Sequence, residues 1–277
     1  MITSQSNPKI KQIRSLRRRR EREQTGLFFV EGIRIVAEAV QQGAHVEELV
    51  VAPALLRSDF ALRLVESRKQ AGVPCLEVSS EVFESISLKE GPQGLGAVVR
   101  QRWETLEMVR PDGELCWVAL DGVQDPGNLG TILRTGDAVG AAGVILVGDT
   151  TDPYDPGAVR ASVGAIFSQR LVRASLDELA AWKLAHQVVM VGTSGAAPTD
   201  YQAVSYAPPL VLLMGGEQRG LSQRQQALCD LMVSIPMVGR SDSLNLAVAT
   251  AVVLYEMLSQ RRVGHQSRTR CRAVGGQ

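Results

Sequence analysis

Along this chain, short continuous apolar runs alternate with longer stretches in which apolar residues return every three or four positions. The first pattern predicts buried strands and the second amphipathic helices. Residues 27–30 (LFFV) form the first apolar run, followed by Glu31 and Gly32. Ile33, Val36, Ala37 and Val40 then share one helical face, which Gly43 ends. Residues 46–52 predict a strand stopped by Pro53, and residues 54–71 a helix closed by Gly72. Residues 76–78 predict a second strand, residues 82–87 a short helix or turn, and residues 95–100 a third strand. This order predicts a small α/β unit. Residues 103–114 (WETLEMVRPDGE) are polar and carry a Pro-Asp-Gly turn signal, which marks a domain boundary.

Beyond that boundary the alternation is regular. Strands are predicted at 117–120, 143–147, 170–172, 188–191, 210–214 and 232–235. Helices are predicted over 129–139, 157–165, 176–185, 222–229 and 245–260. Apolar strands separated by helices predict a parallel sheet covered on both faces. No internal repeat is visible. The expected organisation is a basic arm over 1–25, a small domain over 26–107, a larger domain over 113–262 and a disordered tail over 263–277.

Length and composition agree with two domains. The chain has 277 residues, and domains average about 100–200. A hydrophobic fraction of 45% excludes a disordered chain. No stretch approaches the roughly 18 apolar residues of a membrane span, and the N-terminus lacks the apolar segment of a secretory signal. A cytoplasmic protein is therefore expected. Net charge is only +1, but its distribution is uneven. Lys9, Lys11, Arg14, Arg17, Arg18, Arg19, Arg20 and Arg22 are opposed in the arm by Glu21 and Glu23 alone. That points to phosphate contact, with a solvated helix face or a loose tail as the plainer reading. Arg17, Arg18, Arg19, Arg20 and, in the following domain, Arg34 are the candidate RNA-contacting residues. Cys75, Cys116, Cys229 and Cys271 form no Cys-x-x-Cys pair, and His45, His186 and His265 lie far apart, so no metal site is expected.

Three strand-to-helix junctions of the larger domain combine unusual residues, and ligand sites of such sheets lie at these junctions. The first is residues 121–130 (DGVQDPGNLG) followed by Arg134. Asn128 is expected to cap the helix, with Arg134 about one and a half turns further on. The second is residues 214–222 (MGGEQRGLS), a sharply turned loop that places Glu217 among glycines. The third is residues 235–249 (IPMVGRSDSLNLAVA), where Ser243 is a candidate cap and Asn245 would lie in the first helical turn. Taken singly, each is as consistent with turns, caps and packing as with catalysis. None fits the glycine spacing of a dinucleotide or triphosphate loop.

In this order and at these positions, the three segments resemble the three motifs of the SpoU (TrmH-like) family of RNA ribose methyltransferases. Residues 152–165 (DPYDPGAVRASVGA) match a further family segment, and the resemblance covers roughly residues 115–260. Phe29, Val30, Glu31 and Gly32, with Gln93, Gly94 and Leu95, resemble an L30e-like substrate-binding domain. The resemblance implies an α/β fold: a trefoil-knotted methyltransferase domain with a parallel sheet, preceded by a small α/β L30e-like domain. It implies a homodimer that uses S-adenosyl-L-methionine to methylate a ribose 2′-hydroxyl of structured RNA, with ribosomal RNA favoured by the domain arrangement. The implied catalytic-site residues are Asn128, Arg134, Glu217, Ser243 and Asn245. The implied cofactor contacts are Thr193, Gly215, Ile235, Met237 and Leu244. Arg134 is implied either as the base for the hydroxyl or as a charged group stabilising the alkoxide. Transfer RNA as substrate, a non-catalytic role in ribosome assembly, and a doubly wound oxidoreductase are the competing readings. The last lacks its glycine-rich loop.

Overall fold

In the computed structural model, residues 1–111 and 113–274 are described, the side chains of 264–274 excepted. In chain order the first part runs α1 (Pro8–Ser15), α2 (Arg19–Thr25), β1 (Leu27–Glu31), α3 (Ile33–Gln41), β2 (Val46–Val51), α4 (Asp59–Gln70), β3 (Cys75–Glu77), α5 (Ser80–Ile86) and β4 (Leu95–Arg100). There follow β5 (Trp117–Asp121), α6 (Pro126–Val139), β6 (Gly143–Val147), α7 (Pro156–Ser162), α8 (Ala165–Ser168), β7 (Arg170–Ala174), α9 (Leu176–Ala185), β8 (Val189–Thr193) and β9 (Thr199–Asp200). The chain ends with β10 (Leu210–Met214), α10 (Gln223–Leu228), β11 (Leu231–Ser234) and α11 (Leu246–Val274).

These elements pack as two units. The first comprises Met1–Arg102 together with Asp152–Ser168, and the second takes the chain from Trp103 to Thr151 and from Gln169 onward. The first unit's first segment ends at Arg102, just before the polar stretch 103–114. The return of 152–168 to the first unit departs from the expected continuous domains. Its cause is local: Asp152 receives the buried Arg22 guanidinium at 2.7 Å, and Phe28 packs on the rings of Tyr154 and Phe167. Buried charge and aromatic area hold this loop to the first unit, and such pairings are invisible to local periodicity.

The first unit carries a four-stranded sheet, order β1-β4-β2-β3, antiparallel except between β2 and β3. The basic arm is part of it rather than an appendage. Asn7 caps α1 by accepting from the Lys9 N–H, with Pro8 in the first turn. Ile10, Ile13 and Leu16, spaced at three, form an apolar stripe that is buried against Val82, Phe83 and Ile86. Eight cations mask these three residues in the sequence. In α4, Ser58 caps the helix, so it begins at Asp59 rather than 54.

The second unit is a seven-stranded, wholly parallel sheet in the order β7-β6-β5-β10-β8-β11-β9. All five residues of β10 and of β6 are buried, as strands covered on both faces require. The chain leaves β5 in one direction, to β6 and β7, and returns to fill the other side of β10. The switch point therefore lies between β5 and β10, whose registers align Leu120 with Met214. α11 packs on α6. It also continues through most of the predicted tail, to Val274, while 275–277 lie outside the described residues. Residues 261–274 contain one glycine and no proline, so little in them interrupts a helix.

Candidate active site

The first two junction loops leave the carboxyl ends of β5 and β10, neighbours at the switch point, and so face each other. Asp125, not Asn128, caps α6. Its Oδ1 accepts from the Asn128 N–H at 2.7 Å, and Pro126 occupies the first turn. The Asp-Pro pair was the available signal for this cap. Asn128 is thereby freed from capping and its side chain turns to Glu217, donating from Nδ2 to Oε1 at 3.1 Å. The same carboxylate accepts the backbone N–H groups of Gln124 and Asp125, each at 3.2 Å. Three donors at a helix N-terminus form an anion cradle. Burial pushes the Glu217 carboxyl upward, but the bonds from Asn128, Gln124 and Asp125 outweigh it and hold the group below its ordinary value.

Glu217 is presented by a tight loop. Gly216 and Gly220 pair across it, the Gly220 N–H donating to the Gly216 carbonyl at 3.0 Å. Gly215 has no room for a side chain: a Cβ there would lie 2.2 Å from the Gly220 carbonyl carbon. Behind the loop, Ser222 and Gln225 form a capping box, and the Gln225 amide reaches Asp121 at the end of β5. A cleft of about 860 Å³ opens between the two loops, with Asp121, Asp125, Glu217 and Arg219 on its walls.

The third loop joins through Asn245. The expectation that Ser243 caps the last helix is corrected: Asn245 does so, its Oδ1 accepting the N–H groups of Ala247 and Val248 at 2.9 and 3.3 Å. Its Nδ2 donates to Asn128 Oδ1 at 2.9 Å. One chain of bonds thus links Asn245, Asn128 and Glu217, one residue from each junction. Ser243 is exposed and forms no hydrogen bond among the described residues. Arg134 is the ninth residue of α6, further along than expected because the helix starts at Pro126. It is exposed, with no hydrogen bond or ion pair among the described residues. Of the five expected catalytic positions, three are joined by hydrogen bonds and two are not.

Residues 116–255 match the SpoU rRNA Methylase family, and residues 7–97 match an MRM3-like substrate binding domain. The chain is 35% identical over 260 residues to a 23S rRNA (uridine(2479)-2'-O)-methyltransferase of Streptomyces viridochromogenes, covering 91% of this chain and 89% of that one. The chain belongs to the SpoU rRNA methylase family. It is also 30% identical to a 23S rRNA (guanosine(2553)-2'-O)-methyltransferase of Bacillus subtilis, over 92% of this chain and 98% of that one. Among solved structures, the AdoMet-bound rRNA methyltransferase of Sinorhizobium meliloti is 39% identical with a TM-score of 0.85, covering 92% of this chain and 96% of that one.

In this SpoU methylase three of the five expected cofactor positions lie at the carboxyl ends of neighbouring strands. Thr193, Gly215 and Ile235 follow or end β8, β10 and β11, which are adjacent. Thr193 Oγ1 donates to Met214 Sδ at 3.4 Å and ties two of these strand ends together. Met237 and Leu244, on the loop after β11, leave 36% of their surface exposed. None of the five lines the cleft beside Glu217. Sequence reasoning missed the Asp125 cap and the Gln225–Asp121 contact. Among the described residues no group of three or more His, Cys, Asp or Glu side chains is placed to hold a metal. No helix there is long and apolar enough to cross a membrane.

Proposed function

We propose that this protein transfers a methyl group from S-adenosyl-L-methionine to a ribose 2′-hydroxyl of ribosomal RNA, with the large-subunit RNA of its relatives as the first candidate. The observation that carries this reading is the bonded chain Asn245–Asn128–Glu217, which unites the three family motifs at the switch point of the sheet. The cofactor, when bound, supplies an electrophilic sulfonium methyl. The residues present suit it: three adjacent strand ends, two of them tied by the Thr193–Met214 contact, and partly exposed apolar side chains at Met237 and Leu244. Thr193, Gly215, Ile235, Met237 and Leu244 would hold it.

The chain's own residues then position and polarise the hydroxyl. Glu217 fixes Asn128, and Asn128 fixes the Asn245 amide at the start of α11. Ser243, two residues before Asn245 and without a hydrogen bond among the described residues, is available to orient the ribose hydroxyl. Arg134 is exposed and has no ion pair among the described residues, and guanidinium groups stay protonated in proteins. It acts as a fixed positive charge for the RNA phosphate and the developing alkoxide. Arg17, Arg18, Arg19, Arg20 and Arg34 contribute backbone contacts to the RNA. A trefoil knot in the second unit, an L30e-like first domain, a homodimer and a cytoplasmic location belong to the same reading. The exposed Val238, Val248 and Tyr255 support a second copy covering that face.

The test is to map alkali-resistant linkages in ribosomal RNA from cells with and without the gene. One 2′-O-methyl nucleotide present only with the gene supports the reading. Identical maps with a difference confined to transfer RNA would replace the substrate.

A further inference from the structure

The first unit holds a half-open cavity of about 190 Å³, lined by apolar Ile13, Ile35 and Val159 and by the aromatic residues Phe29 and Tyr154. Two residues of its lining each carry a buried polar atom that is unsatisfied among the described residues. Glu31 Oε1 accepts the Leu88 N–H at 2.7 Å, but Oε2 is withdrawn from water with no partner. Arg17 donates from Nη2 to the carbonyls of Ser85 and Ser87, yet its Nε is buried without an acceptor. Orphaned buried polar atoms are rare in folded proteins and mark a missing partner. Three further cations line the cavity: Lys89, whose Nζ donates to the Glu31 carbonyl at 3.0 Å, and the two arginines Arg34 and Arg160. Both arginines are exposed and neither has an ion pair or hydrogen bond among the described residues.

A flat, largely apolar ligand with hydrogen-bonding edges and external negative charge satisfies all of these features at once. We infer that the cavity receives one unpaired guanosine of the RNA substrate, its base seated within and its flanking phosphates held by Arg34 and Arg160. The cavity admits one base and not a base pair, so the nucleotide must come from a loop, a bulge or an end, where bases are unstacked and can pack on aromatic side chains. Guanine is selected because its N1–H and N2–H₂ are adjacent donors for the Glu31 carboxylate, and its O6 and N7 are acceptors suited to arginine. The inference rests on the RNA reading above and specifies what the first unit recognises.

The test uses the full chain. Amide resonances are followed while guanosine, adenosine, cytidine and uridine 5′-monophosphates are added separately. Shifts centred on Gly32 and Gln93 with the guanosine nucleotide, several-fold weaker with the other three, are expected. Equal shifts with all four, or none there, would overturn the assignment. In parallel, Arg34→Ala/Arg160→Ala is compared with the parent for binding a guanosine-containing single-stranded oligoribonucleotide across salt. Two lost phosphate contacts lower the slope of log K against log salt by about 1.4, with at least tenfold weaker binding at low salt. An unchanged slope and affinity would refute the role of these arginines. Cofactor binding measured on the same samples separates the two readings. If guanosine binding survives where S-adenosyl-L-methionine binding is absent, the methyltransferase reading fails and the cavity assignment stands. The reverse result removes the cavity assignment alone.

Discussion

Asn245 Nδ2 donates to Asn128 Oδ1 at 2.9 Å, across 117 positions of sequence. Both amide orientations are dictated by what else they touch. Asn245 must turn its oxygen toward the N–H groups of α11, which leaves its nitrogen for Asn128. Asn128 must turn its nitrogen toward the Glu217 carboxylate, which leaves its oxygen for Asn245. Asn245→Asp keeps the cap but loses the donor and sets a carboxylate against an amide oxygen. Thermal stability close to the parent and methyl transfer reduced about 100-fold are expected. Asn245→Ala loses both functions, with a further stability loss of about 1 kcal/mol. Melting curves and initial rates check the pair.

Arg134 is exposed and forms no hydrogen bond or ion pair among the described residues. Arg134→Ala should therefore change stability by less than about 0.5 kcal/mol while lowering the rate roughly 10²–10³-fold. Arg134→Lys restores charge but not the planar fork and should fall between the two.

Glu217 is held below its ordinary carboxylate value, so its contribution to loop order is complete above the unfolded value of about 4.3 and is lost as pH falls through the lower folded value. Cofactor affinity of the parent should be flat from neutral pH to about pH 5 and decline only in more acidic solution. In Glu217→Gln the affinity should be lower at neutral pH, and this acid limb should be missing. Calorimetric titration across pH reads both.

Much of the second unit was legible in the sequence because parallel strands buried on both faces read as uninterrupted apolar runs, as in 210–214 and 143–147. The three loops were legible as strand-to-helix junctions with excess glycine and amide residues. Their arrangement was not, since the adjacency of β5 and β10 is a long-range pairing that local pattern does not encode. The caps at Asp125 and Asn245 were each assigned to a neighbour, because Asp125 and Asn128, or Ser243 and Asn245, are all good capping types and backbone geometry chooses between them. The burial of α1 was hidden by the charges around Ile10, Ile13 and Leu16. The 152–168 excursion depends on Arg22, which the sequence presents as one more cation in a basic run.

Arg22 and Asp152 are almost completely buried, at 1% and 3% exposure, and their 2.7 Å contact joins α2 to that excursion. Asp152→Ala leaves the guanidinium, among the described residues, with only Asp155 at 3.4 Å as an acidic partner. A destabilisation of about 3–5 kcal/mol is expected, read as a lowered denaturant midpoint.

Gly215→Ala forces a methyl against the Gly220 backbone, which has no flexible end to yield. A stability loss of about 1–3 kcal/mol and loss of S-adenosyl-L-methionine binding are expected together, measured by melting and by calorimetry. Gly195→Ala, where a Cβ meets nothing, should leave both unchanged.

Methyl transfer to a ribose hydroxyl is read by incubating the purified protein and its Arg134→Ala variant with methyl-labelled S-adenosyl-L-methionine and ribosomal RNA from cells lacking the gene. Label recovered in an alkali-resistant 2′-O-methyl dinucleotide with the parent, and absent with the variant, is the result predicted. Label on a base, label carried equally by the variant, or no label despite bound cofactor would contradict it.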